Sequence, residues 1–348
     1  MWIISWFIGD DYGVSYGDGQ TNWREGFEMI PDIPRARTPE ALSFFSSLAI
    51  QPLRPVFSVL LGLAAVWVMF KGPGTQYKRK HNVESLLKFQ AKNFPIIAPF
   101  AEFNPAEQPP RPPGSDVPAE LPDFAEALGP EEWVAYNQIP VPDGVLERKA
   151  THRAFFKQLG GRWKGVKGLN KHEQVLLAAF CLKASRKRGD ADDLLGELAL
   201  SWSFKGGMKV SGKLLSKARK VLKDRKLAEG TLTECNLHAF KTTALLRALQ
   251  YARSEGGVLA PSQFVWLRAV DRNLWYPLNN MGRQSHHMEA MGAMSHFKAE
   301  RMTKRPIPVP KLDGAIGSIA EYMESKKARP IPALDYSGSK KRGIKKAV

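Results

Sequence analysis

The amino-acid sequence predicts an all-α cytosolic domain that follows an N-terminal transmembrane helix and a proline-rich linker. Three observations predict this class. Residues 53–70 form an almost wholly apolar run, residues 105–125 are rich in proline, and from about Glu147 to Arg305 the apolar residues recur with a helical period. The body shows no alternation of apolar and polar residues of the kind that a half-buried strand requires. We therefore expect helices to build the whole body.

Composition divides the 348 residues into six segments. In chain order we predict an acidic segment over 1–50 with a partial apolar helix at its start, a transmembrane helix over 51–71, a juxtamembrane segment over 72–104, a linker over 105–125, a basic helical domain over 126–305 and a basic tail over 306–348. Asn82 is placed to cap a short juxtamembrane helix that Pro95 ends. We expect the linker to be an extended spacer and the tail to be loosely attached.

The transmembrane prediction rests on the apolar run. Residues 56–70 carry no charge, and with Leu53 they approach the minimum of about 17 apolar residues that span a hydrocarbon core. Trp67 lies near the far end, where interfacial aromatic side chains are enriched. A helix buried in a protein core is the alternative, because the run is close to the minimum length.

The charges on either side of this run predict its orientation. Acidic residues dominate positions 1–50, whereas Lys71, Lys78, Arg79 and Lys80 follow the run. Because positive flanks stay in the cytosol, we expect residues 71–348 there and the acidic segment in the periplasm. The opening MWIISWFIG is too short to cross a bilayer, so it lies in the interface or ends a preceding span.

The net charge of +17 is concentrated in one part of the body. From position 148 to position 228 the chain holds 21 Lys and Arg against 6 Asp and Glu. Such a field attracts nucleic acid, anionic lipid or acidic protein segments, and composition does not choose among them. Cys181 and Cys235 are the only cysteines, and we expect both to be reduced, buried apolar residues.

Two predicted helices carry most of this charge. NKHEQVLLAAFCLKASRKR has Asn170 as its cap and Glu173 three residues later, and its all-round apolar middle indicates burial. We place residues 186–188 in its last turn, where cations suit the helix dipole, with Gly189 ending it and Asp190 starting the next helix. VSGKLLSKARKVLKDRK is amphipathic, with leucines on one side and lysines on much of the other.

We predict that these cations form a binding surface for acidic partners, called the basic surface below. It comprises Arg186, Lys187, Arg188, Lys213, Lys217, Arg219, Lys220 and Lys223. A solvated face usually intersperses both signs of charge, whereas this one is poor in acid. The alternatives are a purely solvated face and a surface that binds nucleic acid, for which affinity would fall steeply with salt.

Motifs for nucleotide binding are weak in this sequence. Gly207, Gly212 and Lys213 have the spacing of a phosphate-binding loop, but Leu214 stands where a hydroxyl would hold magnesium. No apolar strand precedes this stretch, so the start of an ordinary helix is favoured.

Motifs for metal binding and catalysis are equally weak. His286, His287, Glu289 and His296 are close in sequence, yet adjacent histidines on a helix point in different directions and no cysteine is near. No arrangement of a nucleophile with a base is evident from spacing. We predict a protein without enzymatic activity, metal or cofactor.

An aromatic segment follows the basic helices. WLRAVDRNLWYPLNNMGRQ predicts two short helices around Asp271, with Trp266 and Tyr276 in the core and with Arg268 and Arg272 either paired with Asp271 or facing solvent. The positions in and beside this segment that we assign to the core or to partner docking are Trp266, Arg268, Asp271, Arg272, Trp275, Tyr276 and Arg283.

This segment resembles the DotM/IcmP family of type IVB (Dot/Icm) secretion systems, called TrbA in IncI-type conjugative plasmids. YKRKHNVESLLKFQAKNFPIIAP and FKQLGGRWKGVKGLNKHEQVLLAAF are also similar to that family, so the resemblance covers roughly residues 53–300. It implies a bacterial inner-membrane protein with a cytoplasmic C-terminal domain. Such a protein is a non-enzymatic subunit of the coupling complex, and its partners are the other subunits, including a secretion ATPase.

The resemblance also implies a role for the basic surface. Family members are thought to offer basic patches to acidic, glutamate-rich secretion signals, and the matching positions here are Arg186, Lys187 and Arg188 with the lysines from Lys213 to Lys223. Two alternatives remain: a membrane-anchored DNA-binding protein of conjugative transfer, and a purely structural anchor of the apparatus.

Overall fold

The computed structural model describes residues 13–16, 19–32, 39–50, 53–71, 81–102, 111–112 and 114–337 of the chain. These residues belong to two compact units, which divide between His81 and Asn82. Five predictions fall wholly or partly outside the described residues. They concern the opening apolar residues, the first two residues of the predicted span, the basic stretch 78–80, much of the predicted linker (105–110 and 113) and the last residues of the tail.

The first unit contains a small folded core that the acidic composition did not predict. Its elements before the apolar run are β1 (Gly13–Tyr16), β2 (Gly19–Asn22), α1 (Trp23–Glu28) and α2 (Pro39–Ile50). The two strands form an antiparallel hairpin in which Val14 lies opposite Thr21. Trp23 and Phe44 are fully buried, and the Trp23 indole donates a hydrogen bond to the Leu48 carbonyl at 2.8 Å.

The apolar run forms one helix, α3 (Arg54–Lys71), with 18 residues, close to the predicted bounds. From Val56 to Lys71 every side chain is exposed, including those of Leu61 and Phe70. Within the described ranges, no helix combines the length and the apolar character that crossing a membrane requires. The transmembrane anchor therefore stays a prediction.

The second unit is mostly helical. Its helices are α4 (Val83–Gln90), α5 (Ala98–Glu102), α6 (Pro130–Tyr136), α7 (Arg148–Lys157), α8 (Lys171–Ala184), α9 (Arg188–Ala199), α10 (Gly212–Lys223), α11 (Arg225–Cys235), α12 (Lys241–Gly256), α13 (Leu267–Val270), α14 (Arg272–Asn280), α15 (Met288–Thr303) and α16 (Asp313–Glu324). The predicted all-α class is confirmed for this body. The Asn82 side chain caps α4 as predicted, since it accepts a hydrogen bond from Ser85 N at 2.8 Å.

The body also contains four very short strands, which the sequence analysis did not predict. They are β3 (Val117–Pro118), β4 (Trp202–Ser203), β5 (Gly207–Met208) and β6 (Leu334–Asp335). β4 and β5 form an antiparallel pair, whereas β3 and β6 pair in parallel across more than 200 residues of chain. Strands of two residues are too short to show an alternating pattern, which is why the sequence did not reveal them.

Helix α8 is the centre of the main core. Its residues from Glu173 to Lys183 are all buried, as the all-round apolar pattern predicted, and it packs against α9, α10 and α12. The predicted capping box is present, because Asn170 N donates to the Glu173 carboxylate at 2.8 Å while the Asn170 side chain meets the helix's first turn. The close approach of α12 depends on Gly256, where a Cβ would lie 1.9 Å from the Lys183 carbonyl oxygen.

Two segments predicted to be loose are parts of the folded body. Residues 117–125, which we expected in an extended spacer, include buried Val117 and Phe124. The Phe124 ring contacts those of Phe100 and Trp202, with centroids 5.6 and 5.2 Å apart. In the tail, α16 buries Ile319 and its neighbours against the body. A high proline content indicates that a segment is not helical. It does not indicate whether the extended segment packs against the folded body, which is why the sequence did not predict this packing.

Candidate functional site

The turn between α8 and α9 differs from the prediction. We expected residues 186–188 to complete α8, but that helix ends at Ala184 and Arg186 takes a left-handed conformation with φ of 61°. Lys187 N bonds to Leu182 O at 2.9 Å and Arg186 N to Lys183 O at 3.0 Å, the pattern of a Schellman motif. This turn normally uses glycine, so an arginine here is held in a disfavoured backbone conformation with its side chain exposed.

Arg188 begins α9 instead of ending α8, so the favourable dipole that we assigned to it is reversed. Gly189 and Asp190 accordingly lie inside the first turn of α9. Arg188 is held by the end of α12, since its Nε donates to the Gly256 carbonyl at 3.1 Å. Gly257, with φ of 82°, ends α12 and leaves room for this guanidinium.

The second part of the basic surface is the outer face of α10. Ser211 caps this helix by accepting a hydrogen bond from Leu214 N at 3.2 Å. The buried side of the helix carries Leu214, Leu215, Ala218 and Leu222. The exposed side carries the predicted cations Lys213, Lys217, Arg219, Lys220 and Lys223. The predicted amphipathic helix is therefore confirmed.

Most of these cations have no partner in the described part of the chain. Lys217 pairs with Glu197 at 2.5 Å, and Arg219 Nε donates to Gln174 Oε1 at 3.1 Å. Neither an ion pair nor a side-chain hydrogen bond is formed, within the described ranges, by Arg186, Lys187, Lys213, Lys220 and Lys223. Five exposed positive charges are thus available to a partner.

The structure brings the two predicted parts of the basic surface onto the two ends of α8. Arg219 of α10 donates to Gln174 in the first turn of α8. Ser185, just after the last turn of α8, donates to the carbonyl oxygen of Leu227 in α11 at 3.1 Å. The two anchor points are about 16 Å apart at the rise of an α-helix. Lys220 and Lys223 fall between them along the chain.

The arginines of the aromatic segment have a different environment. Arg268 donates from Nε and Nη2 to the Ala125 carbonyl at 3.0 and 2.6 Å, and Arg272 Nη1 reaches the same oxygen at 2.8 Å. Neither pairs with Asp271, as we had considered; Asp271 instead caps α14 by accepting from Leu274 N at 3.1 Å. Arg268 and Arg272, named the arginine clamp here, therefore fasten the segment around Ala125 to the body.

A buried carboxylate completes the arginine clamp. Arg272 Nε and Nη2 each lie 2.9 Å from one oxygen of Glu289, and Glu289 also accepts a hydrogen bond from Leu128 N at 3.1 Å. Burial alone would lower the pKa of Arg272, but the bond to Glu289 outweighs it and raises the pKa above its usual value. Arg272 and Glu289 thus form a partly buried ion pair within the body.

The remaining positions of the aromatic segment divide between core and surface. Trp266 and Tyr276 are buried in the main core as expected, and so is Trp275, whose ring contacts that of Phe264. Arg283 is exposed in the loop between α14 and α15. The first three therefore build the core, and only Arg283 is free to meet a partner.

A second buried carboxylate, Glu300 on α15, is surrounded by donors that the sequence did not reveal. Ala239 N and Ile307 N donate to it at 2.7 and 3.1 Å, and His238 Nδ1 lies 2.6 Å from its other oxygen. Burial alone would raise the pKa of Glu300. Hydrogen bonds from His238, His296 and the two backbone amides outweigh burial and hold the pKa well below its usual range.

The residues of the weak nucleotide-binding and metal-binding motifs have structural positions in the fold. Gly207 lies in β5 and Gly212 opens α10, so this stretch includes the ordinary helix start that we favoured. Glu289 pairs with Arg272 and His296 lies beside Glu300, which separates the histidines considered as metal ligands. In the described ranges no group of three or more His, Cys, Asp or Glu is arranged to hold a metal ion.

Both cysteines are buried and unpaired, as expected. Burial raises the pKa of the Cys181 thiol to about 12 and that of Cys235 well above its ordinary value. The Cys235 thiol donates to the Ala244 carbonyl at 3.4 Å. Both side chains therefore stay protonated at neutral pH and act as small apolar groups.

The body is thus a mostly helical domain that exposes unpaired cations on α10 and in the turn between α8 and α9. The description "DotM, C-terminal cytoplasmic domain" belongs to a family model that matches residues 149–321. The chain is also 31% identical over 281 residues to the type 4 apparatus protein DotM of Legionella pneumophila (strain Philadelphia 1), an alignment that covers 76% of this chain and 69% of that protein. The chain belongs to the DotM family, so the predicted membership is confirmed.

Proposed function

We propose that this DotM-family chain is a non-enzymatic inner-membrane subunit of a type IVB secretion or conjugation apparatus. In this proposal its helical body recruits acidic, glutamate-rich secretion signals through the basic surface. Family membership supports a place in a type 4 apparatus, and the match to a domain described as cytoplasmic supports a cytosolic body. The partners are then the other subunits of the coupling complex, among them a secretion ATPase.

The observation that carries the proposal is the set of five exposed cations without partners. An exposed cation with a carboxylate neighbour gives little to an incoming acid, because its charge is already partly neutralised. Arg186, Lys187 and Lys220 have no such neighbour in the described ranges. Their fields add, which raises the association rate for a chain of several glutamates and makes binding sensitive to salt.

The geometry of the basic surface also supports an extended acidic ligand. Arg219 contacts Gln174 in the first turn of α8, and Arg186 follows the last turn of that helix. About 16 Å of helix separates these two positions, a length that several consecutive residues of a peptide cover. Arg186 and Arg188 offer planar guanidinium groups for paired contacts with a carboxylate, whereas the lysines of α10 act as point charges. A glutamate-rich segment meets both kinds of contact along its length.

The membrane anchor in this proposal is α3. Its apolar side chains from Val56 to Phe70 are exposed, and an apolar surface of this extent is unfavourable in water. Lys71 begins the basic flank that favours the cytosolic side. A bilayer around this helix accounts for both features, and it places the basic surface where cytosolic cargo is available.

The test compares two sets of three charge reversals in the full chain in detergent micelles. The first set is Arg186→Glu, Lys187→Glu and Lys220→Glu. The control set is Lys149→Glu, Lys326→Glu and Lys327→Glu, which are exposed cations outside the basic surface and change the net charge equally. Fluorescence anisotropy with a labelled glutamate-rich peptide should show a loss of affinity of about tenfold or more for the first set at low salt and a much smaller loss for the control.

Two other outcomes would assign a different function. A single-stranded DNA of equal charge that binds more tightly than the peptide, with a salt slope near −0.7 per phosphate contact, would favour the DNA-binding alternative. If both sets bind the peptide equally and substrate transfer in cells survives the first set, the protein is a structural anchor.

A further inference from the structure

A cavity of about 710 Å³ lies outside the basic surface, in the same helical body. It is open to solvent on one side and is lined by the last turns of α12, by the loop between α14 and α15, and by α15 itself. Its volume falls within the range of about 300–1,000 Å³ that small-ligand sites occupy. The cavity shares no residue with the basic surface.

Four cations line this cavity: Arg253, Arg283, Lys298 and Arg301. No aspartate or glutamate is among the lining residues, and none of the four cations forms an ion pair within the described ranges. Like charges that converge on one cavity repel each other, and an anion inside it would relieve that repulsion. The lining therefore favours a negatively charged ligand.

One of these cations is held in place by the protein. Arg253 donates from Nε to Leu259 O at 3.0 Å and from Nη1 to Met281 O at 3.3 Å. The exposed Arg301 guanidinium lies 5.9 Å from the centre of the Phe297 ring. The position of Arg253 is thus set before a ligand binds, which lowers the entropy that binding costs.

The rest of the lining is largely apolar. Met281, Met294, Phe297 and Met302 contribute side chains, and Met302 is 77% exposed although it is a large apolar residue. Methionine is flexible and adapts to ligands of different shape. A site for a purely charged ligand would not need these side chains, so the ligand has an apolar part.

His286 gives a further polar contact. It lines the cavity, and its Nδ1 is enclosed without a hydrogen-bond partner in the described part of the chain. A buried polar atom without a partner is costly, and a bound group with a hydrogen-bond donor or acceptor removes that cost. Burial, and then the charge of Lys298, lower the pKa of this histidine, so it is neutral at pH 7.

We propose that this cavity is a second recognition site, which binds an acidic peptide segment of a partner polypeptide through one bulky apolar side chain flanked by carboxylates. The apolar side chain packs among Met294, Phe297 and Met302, and the flanking carboxylates meet Lys298 and Arg283 at the exposed edge. The cations lie on three separate elements, which suits carboxylates spaced along a chain better than a single phosphate group. The site does not depend on the proposed role of the basic surface.

The test uses the full chain in detergent micelles and two labelled peptides. Both peptides are rich in glutamate and serine; one has a central phenylalanine, and the other has serine in its place. Wild-type protein should bind the phenylalanine peptide about tenfold or more tightly, which is the effect of burying one large apolar side chain. Equal affinity for the two peptides would overturn the proposal.

Two exposed positions separate the apolar and the charged contacts. Met302→Asp should abolish the preference for phenylalanine, whereas Val145→Asp, at another exposed apolar residue, should leave it intact. Lys298→Glu should weaken the binding of the phenylalanine peptide about tenfold, whereas Lys326→Glu should not. A preference that survives both cavity variants would overturn the proposal.

The result distinguishes this site from its rivals. If the three reversals in the basic surface remove the preference for phenylalanine and Lys298→Glu does not, the cavity is not the site. Vesicles of phosphatidylglycerol that compete with the peptide in the wild type and fail to bind Lys298→Glu would assign the cavity to a lipid headgroup instead. If Met302→Asp removes the preference for phenylalanine while the basic surface is unchanged, the cavity is supported as the binding site. This result holds even if the basic surface binds no peptide.

Discussion

Arg272 and Arg186 are the same residue type in opposite surroundings. The Arg272 side chain is 18% exposed and makes two contacts of 2.9 Å with Glu289, whereas Arg186 is exposed and has no partner in the described ranges. Removing one partner of a partly buried ion pair leaves the other charge uncompensated, whereas removing a solvated cation changes stability very little. The comparison separates charges that hold this body together from charges that are available for binding.

The largest effect is expected at the arginine clamp. Arg272→Ala removes the partner of Glu289 and a donor to Ala125 O, so we expect a loss of about 3–5 kcal/mol in the free energy of unfolding. Urea denaturation of the full chain followed by tryptophan fluorescence measures it. Arg283→Ala is the control, because Arg283 is exposed, and it should change stability by less than about 0.5 kcal/mol. Equal losses for the two variants would contradict the division.

A smaller effect, dependent on pH, is expected at Glu300. In the wild type one oxygen of Glu300 accepts hydrogen bonds from Ala239 N and Ile307 N, and the other contacts His238. Glu300→Gln replaces one of these oxygens by an NH2 group, which cannot accept, so at least one donor loses its partner. We expect a loss of about 1–3 kcal/mol at pH 7, measured by urea denaturation.

The sign of the pH dependence follows from the depressed pKa of Glu300. In the unfolded chain this carboxyl titrates near its ordinary pKa of about 4.3, so its contribution to stability is complete above that pH. The contribution is lost as the pH falls from there toward the lower folded pKa. Thermal unfolding from pH 7 to pH 3 should therefore show a smaller decline in Tm for Glu300→Gln than for wild type. Parallel curves would show that other groups cause the decline.

A still smaller effect, of opposite sign, is expected at Arg186. Its left-handed backbone, with φ of 61°, costs about 1 kcal/mol that glycine does not incur. Arg186→Gly should therefore raise the free energy of unfolding by about that amount and weaken the binding of a glutamate-rich peptide. Arg186→Ala is the matched control, because it removes the guanidinium without relieving the backbone. A variant that gains stability and keeps full peptide binding would show that Arg186 is not part of the basic surface.

The parts of the fold that sequence reasoning predicted are those fixed by local chemistry. The capping box of Asn170 and Glu173, the apolar face of α10 and the cap of α4 at Asn82 each depend on residues within a few positions of one another. The class of the body and the basic character of α10 followed from these patterns. The exposed cations of α10 were correctly placed on one helix for the same reason.

The parts that it missed depend on contacts between distant residues. Arg268 and Arg272 meet Ala125 across 143 and 147 positions, and no spacing within the aromatic segment reports that contact. We predicted that α8 continues through Arg188 because a basic tripeptide suits a helix end, whereas the Schellman hydrogen bonds end the helix at Ala184, four residues earlier. The core of the first unit was missed because acidic composition was interpreted as charge alone, although Trp23 and Phe44 were present in it.

The smallest effect tests the division within the basic surface itself. Lys217 is paired with Glu197 at 2.5 Å, and both side chains are about half exposed. Glu197→Gln removes the neighbouring negative charge and turns Lys217 into an unpaired cation like Lys220. Because an exposed pair contributes about 0.2–1 kcal/mol, stability should fall by no more than that. Affinity for the glutamate-rich peptide should rise between about 1.5- and 5-fold at low salt.

The matched control for this gain is Asp313→Asn. It frees Arg148 from a more exposed pair of 2.7 Å outside the basic surface, and it changes the net charge by the same amount. If both variants raise the affinity equally, the peptide senses only net charge and the basic surface is not a defined site. If only Glu197→Gln raises the affinity, the location of the freed cation matters and not the net charge alone. Lys217 then binds the peptide once its carboxylate partner has been removed.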